Sequence, residues 1–185
     1  MSKTSTHTQR IFIGLWPNQA TQAALQPLSV AAQQHCGGRA LRADQWHITL
    51  AFLGDLPSQE VQTLCTHTAE WQLPIAPFQV DRYGCFERAR IIWAGSQEAS
   101  SLQHMSACHQ QLWQYLTPLG YRPEPRPFVP HISLLRQAQS YALSTLPDFS
   151  PFAWQSAQCY VMESRPTANG THYLPLGTIA LQPIL

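Results

Sequence analysis

The sequence predicts an α+β fold in which two antiparallel β-sheets face a central cleft and the helices lie on the outside. Strand-like and helical runs follow one another along the chain, and two short segments, residues 46–50 and 130–134, read almost alike and occupy corresponding places in the two halves. We find no linker between independent domains. The expected organisation is therefore a single, bilobal, pseudo-duplicated domain at residues 10–185, preceded by a disordered tail at residues 1–9.

Local patterns predict three main helices. Pro17 and Asn18 open the first, which runs to about Cys36 before two glycines, and Pro27 should kink or shorten it because proline lacks a backbone N–H. Ser58 is a plausible cap for the second helix. The third covers about residues 99–119, where apolar residues recur at spacings of three, four and seven.

The strands are predicted from short apolar or alternating runs between turn residues. In chain order they are residues 11–16, 45–53, 75–86, 90–95, 131–135, 152–163 and 172–181, with a loop over 137–151. Two of these strands carry the repeated segments.

Composition excludes several classes of function. Charged residues make up only 11% of the chain and the net charge is +1, so no broad basic surface for duplex nucleic acid is present. Any nucleic-acid contact should be local, at an end or a single strand. No apolar run approaches the ~20 residues of a membrane span.

The cysteines indicate a reducing compartment. They are odd in number and form no C-x-x-C pair, and residues 1–10 are polar rather than an apolar leader: Cys36, Cys65, Cys85, Cys108 and Cys159. We therefore expect free thiols in a cytoplasmic protein. A monomer without membrane attachment is expected.

The two repeated segments predict a catalytic site. Side chains at i and i+2 share one face of a strand, so His47 lies beside Thr49, and His131 lies beside Ser133. One such triplet is often a packed core histidine, but two in strand-like runs favour a functional pair. An imidazole pKa of ~6.5 allows one neutral and one protonated ring near pH 7, and the hydroxyls can donate to phosphate oxygens. This is equipment for acid–base chemistry at a phosphate.

Three neighbouring residues are weaker candidates. Arg136 ends the second motif strand and could clamp the phosphate, although it could equally be a surface arginine. Phe128 and Trp46 flank the motifs and could stack on a base, but the alternative of a core aromatic is the more common one.

A metal site has little support. His104 and Cys108 are one helical turn apart and His109 follows, but no third or fourth ligand stands at suitable spacing, so neither a metal nor another cofactor is expected. The chain also has no phosphate-binding glycine loop, nucleophile elbow or H-E-x-x-H motif.

The paired H-x-[Thr/Ser] motifs resemble those of the 2H phosphoesterase superfamily. The chain is similar in particular to the RNA 2′,3′-cyclic phosphodiesterases, also called 2′-5′ RNA ligases. The likeness runs from Arg10 almost to the C-terminus. It is carried by residues 10–14, 46–54, 90–93, 126–136 and the strand ending at Glu163 and Ser164. Ser133 stands where threonine is common, which keeps the hydroxyl.

The resemblance implies an activity and roles. It implies metal-independent hydrolysis of an RNA terminal 2′,3′-cyclic phosphate to a 2′-phosphomonoester, with 2′-5′ ligation as the reverse reaction. His47 would be the proton donor to the leaving 3′ oxygen and His131 the proton acceptor for water, while Thr49, Ser133 and Arg136 would contact the phosphate. The motifs are nearly symmetric, so their spacing alone does not assign acid and base.

Other hypotheses stay open from the sequence. The chain could bind single-stranded RNA ends without turnover, use its histidines as ligands of a metal-dependent hydrolase, or act on another small cyclic phosphate. Within the expected class, the physiological substrate could be a tRNA fragment, an oligoribonucleotide end or a 2′,3′-cyclic nucleotide.

Overall fold

The computed structural model describes residues 8–168 and 170–184. Within them lie three helices: α1 (Gln19–Cys36), α2 (Ser58–Thr68) and α3 (Ala99–Leu116). The strands are β1 (Thr8–Pro17), β2 (Arg39–Ala40), β3 (Ile48–Pro57), β4 (Gln72–Ile75), β5 (Phe78–Val80), β6 (Arg82–Phe86), β7 (Ile91–Gly95), β8 (His131–Arg136), β9 (Phe152–Trp154), β10 (Ser156–Thr167) and β11 (Gly170–Pro183). The predicted α+β class is confirmed.

The strands form two halves that meet in the middle of one sheet path. Its order is β4-β11-β10-β1-β3-β8-β7-β6, with β2 paired to β8 at the side, while β5 and β9 form a separate two-stranded sheet. Neighbours along the path are antiparallel except β11 and β4, which are parallel. The two halves touch between β3 and β8 through the pair Ile48 and Ile132. The bilobal arrangement therefore has its junction between the two motif strands.

One hydrophobic core extends under both halves. Ile48 and Ile132 are both 0% exposed, and they join a cluster that runs from Ile11 in β1 to Ile179 in β11. The helices contribute Leu25 and Leu112, among other side chains, to this cluster. Because the core is continuous, packing of Ile48 and Ile132 in it stabilises the junction between β3 and β8.

The structure corrects the predicted N-terminal boundary. Thr8 and Gln9 were expected in the tail but belong to β1, where they pair with Pro57 and Leu56. The Gln9 side chain also donates to the Glu163 carboxylate at 2.9 Å. The rest of the predicted tail, residues 1–7, lies outside the described residues.

Three details of the predicted helices differ in the structure. Helix α1 runs through Pro27 without ending there; this proline is exposed, so water can satisfy the carbonyl that loses its partner. Ser58 is the first residue of α2 and Pro57 takes the cap position, so Ser58 is not the cap. Helix α3 ends at Leu116 rather than 119, and a 3₁₀ turn containing Pro118 leads to Gly120 at φ 95°.

The first motif strand starts later than predicted. Residues 43–45 form a 3₁₀ turn instead of strand, and β3 begins at Ile48. The Gln45 side chain fixes this turn, because it accepts from the backbone N–H of Arg42 and donates to the carbonyl of Thr171. His47 therefore lies immediately before the first residue of β3. No helix in the described part of the chain is long and apolar enough to cross a membrane.

Candidate active site

The pairing of β3 with β8 brings the two sequence motifs side by side. Ile48 lies opposite Ile132 in antiparallel register. One step along the same register in either direction, His47 faces Ser133 and Thr49 faces His131. In a regular antiparallel pair, directly opposite Cβ atoms are about 5 Å apart and diagonal ones about 7–8 Å. The two histidines occupy diagonal corners of this four-residue group.

Both motif histidines lie on the face of the sheet opposite the main core. Because Ile48 and Ile132 are buried in that core, alternation along the strands directs their neighbours to the other face. There a smaller aromatic cluster of Phe12, Trp16 and Met162 covers β1 and β10. The isoleucine of each motif thus lies on the core face of the sheet, and the histidine lies on the opposite face.

An aromatic box surrounds His47. The Trp16 ring is stacked on the imidazole at 4.9 Å between centroids, Phe12 lies at 5.1 Å, and Tyr173 meets the ring edge-on at 5.3 Å. Gly14 suits the close packing of β1 here, because a Cβ would come within 3.0 Å of the Ile48 carbonyl oxygen and 3.3 Å of the Trp16 ring. His47 is consequently only 8% exposed.

His131 has a related but more open setting. Phe86 meets its ring edge-on at 4.8 Å and Trp93 lies at 6.1 Å. Gly84 makes room for the Trp93 indole, since a Cβ at this position would come within 2.1 Å of it. His131 is half-buried. Each histidine therefore contacts one phenylalanine and one tryptophan.

Backbone carbonyls fix the tautomer of both rings in the same way. Nδ1 of His47 lies 2.7 Å from the carbonyl oxygen of Gln45, and Nδ1 of His131 lies 2.8 Å from that of Val129. A carbonyl oxygen can only accept, so each Nδ1 must carry the hydrogen. In both histidines Nε2 is left to exchange a proton with a bound molecule.

Burial and a nearby cation keep both imidazoles mostly uncharged in the free protein. Burial lowers the pKa of His47 to about 4, and the positive charges of Arg136 and His131 act in the same direction. Burial also lowers the pKa of His131, again with help from Arg136. A bound anion would oppose this effect and raise both pKa values.

Arg136 is the cation of the site. It lies at the end of β8 and lines a cavity of about 360 Å³ together with His47, Thr49 and Tyr173. Arg39 lies opposite Arg136 in the register of β2 and β8. Burial raises the pKa of the Tyr173 hydroxyl, while the charges of Arg136 and Arg39 lower it. The cavity is therefore positive next to the motif histidines, which suits an anion.

The remaining motif residues are placed by their strands. Thr49 and Ser133 are both half-buried. Thr49 lies opposite Gly14 of β1, and Ser133 lies opposite Trp93 of β7. His131 and Ser133 are not among the lining residues of the 360 Å³ cavity. The register of β3 and β8 sets them beside Thr49 and His47, which do line it.

Phe128 and Trp46 do not line the cavity beside His47. Phe128 stacks face to face on His109 at 4.0 Å and packs against the main core, and it does not line the cavity beside His47. A base therefore cannot use the ring face that His109 covers, and the substrate-binding role of Phe128 stays a prediction. Trp46 is 1% exposed within the core, as its alternative interpretation expected.

Two of the three helical residues considered as metal ligands, Cys108 and His109, have structural roles. Cys108 is fully buried in the core, where burial raises the pKa of its thiol to about 12. Nε2 of His109 accepts a hydrogen bond from the Trp113 indole at 3.0 Å. Among the described residues no group of three or more His, Cys, Asp and Glu side chains could hold a metal ion. All five cysteines are free thiols.

Sequence patterns missed Phe52 because the strand is irregular. Strict alternation along β3 would bury Phe52 with Ile48 and Leu50. The register shifts around Leu50 and again around Leu53, which leaves Phe52 opposite Phe12. Bulges of this kind re-aim side chains and are common next to active sites. Phe52 is 41% exposed and lines the same cavity as His47.

Comparison with known proteins assigns the family. A family model described as "LigT like Phosphoesterase" matches residues 15–93. An RNA 2′,3′-cyclic phosphodiesterase of Escherichia coli strain K12 is 30% identical over 146 residues, which cover 78% of this chain and 80% of the relative. The chain belongs to the LigT-like phosphoesterase family. The predicted likeness to 2H phosphoesterases is therefore confirmed.

Two further comparisons extend this family assignment. An RNA 2′,3′-cyclic phosphodiesterase of Geobacillus stearothermophilus is 33% identical over 104 residues, which are 54% of this chain but only 32% of that relative. The crystal structure of Escherichia coli LigT complexed with 3′-AMP superposes with a TM-score of 0.73 at 26% identity, over 95% of this chain and 99% of that one. The LigT-like fold thus extends over nearly the whole chain.

Proposed function

We propose that this phosphoesterase hydrolyses an RNA terminal 2′,3′-cyclic phosphate to a 2′-phosphomonoester by two-histidine acid–base catalysis. The observation that carries the proposal is the matched pair of imidazoles, both tied at Nδ1 to a carbonyl two residues earlier and both free at Nε2. The names of the relatives support the substrate class. A cavity of about 360 Å³ is also large enough for a nucleotide-sized ligand.

In the proposed reaction the two histidines act on opposite sides of the phosphorus. His131 takes a proton from water, whose oxygen forms a new bond to phosphorus. The bond from phosphorus to the 3′ oxygen breaks, and His47 gives its Nε2 proton to that oxygen. The products are a 2′-phosphomonoester and a free 3′-hydroxyl. In-line displacement of this type needs the acid and the base about one phosphate apart.

The assignment of His47 as the acid follows the family resemblance, and its surroundings support it. The pKa of His47 is about 4 in the free protein, so the imidazolium must be stabilised when substrate binds. A cyclic phosphate anion beside the ring does this by direct charge attraction. The stacked face of Trp16 adds a cation–π interaction with the protonated ring.

Hydrolysis is the expected direction. The same site could join a 2′,3′-cyclic phosphate to a 5′-hydroxyl end, with that hydroxyl in place of water. Water at ~55 M outcompetes RNA ends by mass action. The RNA ends considered are those of tRNA fragments, oligoribonucleotides and 2′,3′-cyclic nucleotides.

Turnover in excess EDTA tests the proposed class of activity. We expect the protein to convert adenosine 2′,3′-cyclic phosphate to 2′-AMP at the same rate with and without the chelator, because the described site offers histidine and hydroxyl groups rather than a metal cluster. Product identity is read by ³¹P NMR. Loss of activity in EDTA would favour a metallohydrolase, and binding without product would favour an RNA-end binding module.

The hydroxyls of Thr49 and Ser133 should hold oxygens rather than move protons. We expect Thr49→Val and Ser133→Ala to lower kcat by roughly 10- to 1,000-fold, the range for losing a donor to a charged transition state. Ser133→Thr keeps the hydroxyl and serves as the matched control with a mild effect. Neither group titrates near neutrality, so both limbs of the pH profile should remain. A limb lost in Ser133→Ala would place that hydroxyl in the proton path.

A further inference from the structure

The cavity beside His47 extends beyond the residues that a cyclic phosphate needs. His47, Thr49 and Arg136 account for the reacting group. The cavity is also lined by Arg10, Phe52, Ser164, Pro166 and Thr171. This second set comes from β1, β3, β10 and β11, away from β8 and its histidine. The cavity therefore has a part with polar and cationic groups that the proposed reaction does not use.

Arg10 places a positive charge in that second part. It precedes Phe12 by two residues on β1, and the Phe12 ring contacts His47 at 5.1 Å. Two residues of strand span about 7 Å. The Arg10 guanidinium lies over the Phe52 ring, 5.1 Å from its centroid. Phe52, which the bulges turn towards the cavity, thus supports the cation in the same cavity as His47.

The Arg10 charge is not neutralised by the protein. Asp55 lies opposite Arg10 in the register of β1 and β3. Even so, no ion pair to Arg10 forms anywhere in residues 8–168 and 170–184; the acid closest along β10, Glu163, pairs with Arg165 at 2.8 Å. An exposed guanidinium supported by an aromatic ring keeps its planar donor fork available for an anion.

We infer that Arg10 binds a second phosphate of the substrate, the one on the 5′ side of the nucleoside that carries the cyclic phosphate. This inference rests on the proposed function and names the substrate class more narrowly. Arg136 and Arg10 hold the two phosphates that flank one nucleoside, and the aromatic-lined cavity between them holds the sugar. The protein therefore selects RNA chain ends over nucleosides that bear only the cyclic phosphate.

Two substrates that differ in one group test this inference. They are adenosine 2′,3′-cyclic phosphate and the same nucleotide with an added 5′-phosphate. In the wild-type protein we expect the 5′-phosphate to raise kcat/KM by about 10-fold, the effect of one charge-assisted hydrogen-bonded contact at a partly exposed site. The gain should shrink as salt is raised. In Arg10→Gln the two substrates should become nearly equal, and Arg10→Lys should keep part of the preference.

Arg122→Gln is the matched control. It removes the same charge from an exposed arginine, whose guanidinium hydrogen-bonds within residues 8–168 and 170–184 to the backbone carbonyl of Tyr121 alone, and it should retain the wild-type preference. Thermal unfolding of Arg10→Gln checks that the variant is folded. An equal loss on both substrates would mean that Arg10 only supports Phe52, and a wild-type ratio near one would also overturn the inference. Absence of turnover on either substrate would instead reject the proposed function itself.

Discussion

Replacing either motif histidine by alanine should lower turnover of a 2′,3′-cyclic phosphate by about 100-fold or more, the usual contribution of one general acid or base. The physical reason is the shared geometry: Nε2 of His47 and Nε2 of His131 are the nitrogens left free by their carbonyl partners. The double variant should lose much less than the product of the single losses, because the pair acts as a unit. Steady-state kinetics of the four proteins measures this.

His104→Ala provides the control for the histidine variants. This residue is an exposed histidine on α3, and its loss should leave turnover close to wild type. Far-UV circular dichroism and thermal unfolding would establish that the single variants remain folded. If His131→Ala retained most of the wild-type rate, the second motif would have no catalytic role and the reaction proposed for this site would be wrong.

Loss of the Arg136 side chain should have an effect of similar size. We expect Arg136→Met to lower kcat by about 100- to 1,000-fold, because a fixed donor to the developing charge on phosphorus is removed. The Arg136 charge also lowers the pKa of both histidines. Without it the imidazolium forms more easily, so both limbs of the pH profile should move to higher pH.

Arg136→Lys separates the two roles of this residue. Lysine keeps the positive charge, so the limbs should stay near their wild-type positions. It lacks the planar fork, so turnover should still fall well below wild type. If Arg136→Met reacted at the wild-type rate with unmoved limbs, Arg136 would be a surface residue without contact to the substrate.

The face that each motif histidine shares with its hydroxyl could be predicted from sequence because it depends on two local patterns. Each histidine stands two residues from its hydroxyl, and strand alternation alone puts them on one face. The class of fold follows from the order of elements in the same way. What joins His47 to His131, however, is a single pair, Ile48 and Ile132, between strands far apart in sequence. Only the fold determines that register.

Local sequence patterns could not predict which residues surround the two histidines. Trp16 reaches His47 from β1 and Tyr173 reaches it from β11, so no spacing in the sequence links them. Phe52 was hidden by the bulges, which reverse the face that alternation assigns to it. Phe128 was proposed because it lies near His131 in sequence, but tertiary packing places its ring against His109. Sequence proximity is a poor guide where an extended, proline-rich segment changes direction.

The pH dependence of kcat/KM in the wild-type protein and in the two single histidine variants tests the central claim most directly. This parameter reports the free protein's ionisations. Because the pKa of His47 is about 4 and that of His131 is lowered from 6.5, the wild-type profile should be bell-shaped with its optimum on the acid side of neutrality. The proton donor His47 must be protonated and the acceptor His131 unprotonated, so His47→Ala should lose the upper limb and His131→Ala the lower one. A profile that is flat between pH 4 and 8, or one that keeps both limbs in both variants, would contradict acid–base catalysis by this pair.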